Sequence, residues 1–333
     1  MIIENSKTYD VNDVENLFFR PSFCGKSAEE LGIRVLYNMP LPTKIPLFFH
    51  HNNILQEFSS GWQGEPSTSI SEKEVTMSKL KAESSYSAEN YFSTIYELLT
   101  NSAEVNLGDL SGTDLEKAET ELFRRAIVES IYATMWFGDE SGEFSDYTAF
   151  TGFIRKVIDI KEVENPLSTI EIFNEMVPMT AAKIFFDTWM CATDDLRALA
   201  SEGHLAYFVS SDIYNAYLFA LENKGYLDSS TATANGRQTL YYHGIPIVEI
   251  PINHYQTTRA SSFCILTDRR NFILALNTAD SPEKEIRMWY NPDEMENRQR
   301  VVFLAGVTIA DSDLVSALVF DAGVEIIDAI VEE

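Results

Sequence analysis

The residue types that do chemistry in proteins are sparse in this sequence and poorly spaced for it. Of five histidines, two are adjacent, His50 and His51. Neighbouring positions on a strand face opposite sides, so this pair does not share one metal. His204, His243 and His254 are far apart and stand beside no carboxylate motif that would orient an imidazole for proton transfer. Asp194-Asp195 and Asp293-Glu294 are adjacent acids of the kind found at solvated helix ends and turns, with a loosely held Ca²⁺ as the alternative chemistry. Cys24, Cys191 and Cys264 include no CxxC pair and read as buried small hydrophobes of a reducing compartment. HExxH, GxSxG, GxxxxGK[ST] and GxGxxG are all absent. The expectation is no catalytic residue, no cofactor and no metal.

Charge narrows the classes further. Acids number 51 against 25 bases, a net charge of −26, and a protein that grips nucleic acid by neutralising phosphates needs the opposite sign. An acidic intracellular enzyme with an unlisted site is the reading from a different class. No N-terminal segment resembles a secretion signal, no apolar run approaches the ~18 residues that span a bilayer, and Asn-x-Ser/Thr sequons are absent. These features suit a protein made and used inside a cell, without a membrane partner.

The elements are organised around Thr113–Gly138. Thr113 and Glu116 form a capping box, and Leu115, Ala118, Leu122 and Ala126 recur at helical spacing beside a second row, Phe123, Ile127, Ile131 and Met135. Gly138 is expected to end the helix in the left-handed conformation. At about 1.5 Å per residue this is a rod of roughly 36 Å, a spine.

Residues 1–44 lack a face able to bury itself and are expected to form an extended arm with at most short helical turns. Residues 45–85 read as a long two-stranded excursion with Trp62 and Glu65 near its tip, and Lys73, Lys79 and Lys81 exposed along its second limb. A hairpin of that length is marginal alone, which predicts that it lies against something outside its own core. Ser87–Asn101 reads as a short helix. Ser168 and Glu171 suggest a capping box opening a helix that Pro178 interrupts, with Thr180 restarting it through to Gly203. LAYFVS is a buried-type strand, and Ser211 opens another helix. Asn235-Gly236 is a turn, and QTLYYHGIPIVEIP gives two strands broken at His243-Gly244. SFCILT and NFILAL are strands joined by Asp268–Asn271. EIRMWY and RVVFLAGVTIA form a long hairpin around the acidic turn NPDEMENRQ; the last segment is helix or strand. The class is α+β with no βαβ rhythm.

The order of these pieces resembles the HK97-like major capsid proteins of tailed double-stranded DNA bacteriophages. The likeness is carried by GWQGEPSTSISEKEVTMSKLKAESSYSAENYF, by DLEKAETELFRRAIVESIYATMWFGDE, by LYYHGIPIVEIPIN, and by SFCILTDRRNFILALN with RVVFLAGVTIADSDLV. It implies an N-terminal arm (1–44) and an extended loop (45–85) lying across a neighbouring subunit. It also implies a peripheral part (86–164, with the spine at 114–137, and the long hairpin at 281–310) and an axial part (165–280, rejoined by 311–333). The implied function is a structural protein, not an enzyme, that self-assembles as hexamers and pentamers into an icosahedral shell around double-stranded DNA. Portal and scaffolding or decoration proteins are the implied partners, and a virion assembled in the host cytoplasm is the implied location. Inter-subunit contact is implied for Trp62, Glu65, Lys73, Lys79, Lys81, Asp293, Glu294 and Arg298. An encapsulin-like nanocompartment is the alternative within the fold. The long N-terminal extension that some members use as an internal scaffold is not seen before this arm, so assembly with a separate scaffold or none is expected.

Overall fold

The computed structural model describes residues 27–40, 43–50, 68–87, 108–111, 114–142, 147–160, 170–173, 178–223, 239–251, 260–279, 282–321 and 325–327. In chain order the strands are β1 (Arg34–Leu36), β2 (Thr43–His50), β3 (Thr68–Val75), β4 (Ser78–Tyr86), β5 (Ile170–Phe173), β6 (Met179–Thr180), β7 (Leu205–Ser210), β8 (Tyr241–Tyr242), β9 (Ile245–Ile250), β10 (Ala260–Asp268), β11 (Phe272–Leu276), β12 (Arg287–Asn291), β13 (Glu296–Ile309), β14 (Val315–Asp321) and β15 (Ile326–Ile327). The helices are α1 (Asp114–Phe137), α2 (Phe153–Asp159), α3 (Ala181–Met190), α4 (Asp194–Ala198) and α5 (Ser211–Asn223).

Helix α1 occupies the span that its apolar spacing predicts. Phe123, Ile127, Ile131 and Met135 face the core, whereas Ala126 of the neighbouring row is exposed. Glu121 bonds Arg124 at 2.9 Å and Arg125 at 3.2 Å, surface pairs of a few tenths of a kcal/mol each. The proposed Thr113 cap lies outside the described residues. From Tyr132 to Phe137 every residue is buried, because the end of the helix enters between two sheets. Trp136 is fully buried there, ringed by Phe153, Phe208, Phe263 and Phe272 at centroid distances of 5.3 to 6.3 Å.

Gly138 ends the helix for a different reason from the expected one. Its φ is not positive; a side chain there would strike the Phe150 carbonyl at 2.1 Å and the Thr134 carbonyl at 2.5 Å. Gly152 N–H donates to the Gly138 carbonyl at 2.7 Å, and α2 starts directly from this crossing, burying Phe153, Ile154, Val157 and Ile158. This helix of seven residues, about two turns, is too short for periodicity to identify.

Strand β13 is the axis of a five-stranded sheet. β4 runs antiparallel along one edge from Ala305 to Asn297, while β12 (at Glu296–Arg300) and then β11 (at Ala305–Ile309) occupy the other. β1 adds parallel to β11. Two expectations are corrected here. The described part of the arm, 27–40, is folded in: Leu31 and Ile33 are buried, and Ser27 and Glu30 form a reciprocal capping box at 3.1 and 3.2 Å. Its local sequence is weakly periodic, but the free edge of β11 supplies its hydrogen bonds. Likewise β4, expected on the excursion, belongs to the body, because Leu80 and Ala82 on its inner face pack into the core.

The second sheet has six strands in the order β5-β14-β10-β7-β9-β8. Both faces are covered, which is why LAYFVS reads as a continuous apolar run. Ala206, Phe208, Phe263 and Ile265 face α1 and α2, while Tyr207, Val209, Cys264 and Leu266 face α3 and α5. Two further differences have local causes. Ile170–Phe173 is a strand parallel to β14 rather than a helix, with Phe173 stacked on Phe320 at 5.2 Å. The expected helix from Thr180 to Gly203 breaks after Met190, where Thr193 accepts from Leu196 N–H and starts α4. In the last segment, open between helix and strand from sequence, Val315–Asp321 and Ile326–Ile327 are strands. β10 and β11, though consecutive, lie in different sheets, and β11 joins β13. The turn at His243-Gly244, both residues at positive φ (49° and 79°), is where the sequence placed it.

Two of the chain's passages between the sheets, at 268–271 and at 310–314, are laced together. Asn271 Nδ2 donates to the Asp311 carbonyl at 2.9 Å, Asn271 Oδ1 accepts from Asp311 N–H at 2.8 Å, and Thr267 Oγ1 donates to the Leu314 carbonyl at 2.7 Å. Beside them, Asp268 caps the turn, accepting from Arg270 N–H at 2.8 Å and from Arg270 Nη2 at 2.6 Å, and Arg270 reaches Glu202 at 3.0 Å. Burial opposes ionisation of Asp268, but the side-chain and backbone hydrogen bonds and the charge of Arg270 outweigh it and hold the carboxyl below its ordinary value of 3.8. A carboxyl with a lowered folded-state pKa contributes stability that is present above the unfolded value and lost as pH falls through the folded one. Asp268→Ala should therefore destabilise the chain by about 1.5–3 kcal/mol at neutral pH. In denaturant melts, the gap from the parent should close below about pH 4.

Candidate assembly surfaces

Strands β2 and β3 form a two-stranded sheet of their own, with Thr43 opposite Val75 at the root and His50 opposite Thr68 at the outer end. Eight residues per strand give a ribbon about 25 Å long. Residues 51–67, with Trp62 and Glu65, lie outside the described residues. The root is buried: Ile45 and Val75 pack on Ile273 and Ala275 of β11, flanked by Met39, Met77 and Ala310. Farther out, Ile70 is 63% exposed. Lys44 bonds Glu72 across the strands at 2.7 Å, with both side chains more than half exposed.

The root is fixed by one close approach. A Cβ at Gly306 would lie 2.1 Å from the Thr76 carbonyl oxygen and 3.1 Å from Met77 Cα, so the β3–β4 link crosses β13 where only glycine fits. Gly306→Val should lift this link, costing about 1–3 kcal/mol. Limited proteolysis should then cut first in 43–77; an unchanged melt and digestion pattern would contradict the packing.

The residues singled out for contact between subunits fall in separate places. Lys73 sits near the root, within reach of the charge of Asp311, whose carboxyl is pushed above its ordinary value chiefly by burial. Lys79 and Lys81 are exposed on the outer face of β4, with Lys81 bonded to Glu83 at 2.8 Å. Asp293 and Glu294 form the turn between β12 and β13, where Arg298 bonds Glu294 and, at 3.3 Å, Glu296. Sequence reading missed the apolar members of these surfaces. Trp289 (41% exposed) lies beneath the Arg300 guanidinium at 5.5 Å, and Val302, two residues along β13 from Arg300, is exposed. In sequence Val302 is indistinguishable from its buried neighbour Val301; only the strand register assigns its face.

Among the described residues no group of histidine, cysteine and acidic side chains is able to hold a metal ion. His243 stacks on Tyr242 at 4.3 Å within the tight turn. Burial pushes the Cys264 thiol up to about 12, which leaves it inert at neutral pH. No described helix is long and apolar enough to cross a membrane.

No protein-family profile matches this sequence. No curated protein matches it either. Solved structures do. A chain of the satellite phage P4 procapsid that includes the size determination (Sid) protein superposes with a TM-score of 0.54 at 10% identity, covering 95% of this chain and all of that one. A chain from Gordonia phage Cozz gives 0.50 at 11% identity over 96% of this chain and 98% of its own. The holo-SrpI encapsulin complex of Synechococcus elongatus gives 0.50 at 8% identity over 96% and 97%. The chain therefore has the HK97-like fold shared by phage capsid proteins and encapsulins.

Proposed function

We propose that this protein is the major subunit of an icosahedral shell that encloses double-stranded DNA, assembled from hexamers and pentamers of identical copies. The observation that carries the reading is the β2–β3 ribbon. Among the described residues β2 and β3 pair with each other and with no further strand, and an isolated two-stranded ribbon is marginal in water. A neighbouring copy lying beneath it supplies the missing support. The net charge of −26 suits a container that holds DNA without gripping it. In this reading the shell works with a portal and scaffolding or decoration proteins, is built in the host cytoplasm and ends in the virion. The role is structural rather than enzymatic.

The likeness to an encapsulin favours a second reading, a nanocompartment with protein cargo. The two are separated by what purified particles contain. The capsid reading expects nuclease-protected double-stranded DNA in particles from the native producer. A stoichiometric protein cargo without nucleic acid would support the nanocompartment. A species eluting near 37.7 kDa under every condition would oppose both.

A further inference from the structure

In a chain of net charge −26, the outer face of the five-stranded sheet gathers basic side chains. Lys79, Lys81 and Glu83 alternate along β4, Arg287 and Trp289 along β12, and Arg298, Arg300 and Val302 along β13, all on one side by register. Arg300 lies opposite both Glu83 and Arg287, and Val302 opposite Lys81. Five bases face outward here against Glu83 and Glu296, with Glu294 at the turn. Trp289 and Val302 are exposed apolar residues on the same face, on either side of Arg300 by register.

The opposite end of β13 carries the complementary charge. Thr193 Oγ1 donates to the Asp313 carbonyl at 3.0 Å, which sets the start of α4 against the loop that follows β13. Asp194, Asp195, Asp311 and Asp313 gather there: Asp311 feels the charges of both Asp313 and Asp195, and the Asp194 side chain is 98% exposed. Bases near this corner include Arg197, 3.4 Å from Asp194, and Lys73. From Arg300 to Asp311 the separation is roughly 35 Å along the strand. The root of the β2–β3 ribbon lies toward the other end of β13: Thr76 crosses that strand at Gly306, and Lys73 is within reach of the charge of Asp311.

We propose that the basic outer face around Lys79, Lys81 and Arg300 receives the acidic corner around Asp194, Asp195 and Asp313 of a second copy. Donor and acceptor surfaces at opposite ends of one strand make a head-to-tail contact, the kind that closes into rings rather than isologous dimers. This inference rests on the shell reading and names a contact within it.

The test is a charge swap in the full chain, under conditions in which the parent assembles. Lys79→Glu with Lys81→Glu, and separately Asp194→Lys with Asp195→Lys, should each lower the assembled fraction by roughly tenfold or more, as like charges meet across the contact. All four changes in one chain should restore assembly to within about twofold of the parent, measured by sedimentation and electron microscopy. Melting by circular dichroism checks that each variant folds. If a reversal melts early, Lys79→Gln with Lys81→Gln replaces it, with an intermediate loss and a reduced salt dependence expected. Reversals that assemble like the parent, or a fourfold variant without rescue, would overturn the contact while leaving the shell reading intact. Rescue of the lysine reversal by Glu72→Lys with Glu74→Lys would overturn it in favour of the ribbon as occupant. A parent chain that assembles neither alone nor with its neighbouring genes would overturn the shell reading itself.

Discussion

A chain in which residues 48–70 are replaced by Asn-Gly should melt close to the parent yet form no closed particles. The replacement leaves Leu47 opposite Ser71 and keeps Ile45 and Val75 plugged into Ile273 and Ala275, so the described contacts of the root are kept. Asn-Gly suits the two-residue turn that closes such a ribbon. The shell reading places the removed segment against a neighbouring copy, so little stability of the single subunit should be lost with it. The expected separation is wide: a melting temperature within a few degrees of the parent, and an assembled fraction below detection. Shells of normal size from the shortened chain would remove the ribbon from the account of assembly. A large fall in melting temperature would instead show that the ribbon supports its own subunit.

The largest effect on stability is expected at Trp136. Its indole fills the space between the two sheets at the end of α1, in contact with aromatic rings from α2, β7, β10 and β11. Its Nε1 has no hydrogen-bond partner among the described residues, so its contribution is packing and burial. Trp136→Ala should cost about 3–5 kcal/mol, as such truncations do where the surroundings cannot collapse. Four separate elements hold the cavity open here. Denaturant melts check this, and a loss under about 1 kcal/mol would mean that the sheets close over the gap. Trp136→Phe retains most of the volume and should recover more than half of the loss.

These two sites differ in how readily the sequence discloses them. The spine was legible because 24 residues with two adjoining apolar rows leave little choice of structure, and its ends came out at Asp114 and Phe137. The His243-Gly244 turn was legible because tight hairpin turns need positive φ. Elements whose partners lie far along the chain were not. Arg34–Leu36 becomes a strand because β11 has a free edge 240 residues later, and Ile170–Phe173 does so because β14 offers one. A capping pattern at Ser168 suggested helix, but β-branched residues beside an open edge take the strand.

The assembly surfaces were legible only in part, for a related reason. A strand's charged residues are visible in sequence, but the face they share is set by register. Lys79 and Lys81 were singled out one by one. That they stand in one field with Arg287 and Arg300 depends on the β12–β13 hairpin and on the β4–β13 pairing, which joins residues more than 200 positions apart. Gly306 carried no signal at all: nothing local marks the place where Thr76 crosses it.

The central claim, that copies of this chain close into a shell, is tested most directly by negative-stain electron microscopy of the full-length protein. It should be expressed alone and then with its neighbouring genes. The account predicts closed particles tens of nanometres across in at least one of the two preparations, built from the intact chain. A species of one to a few copies in both would contradict it.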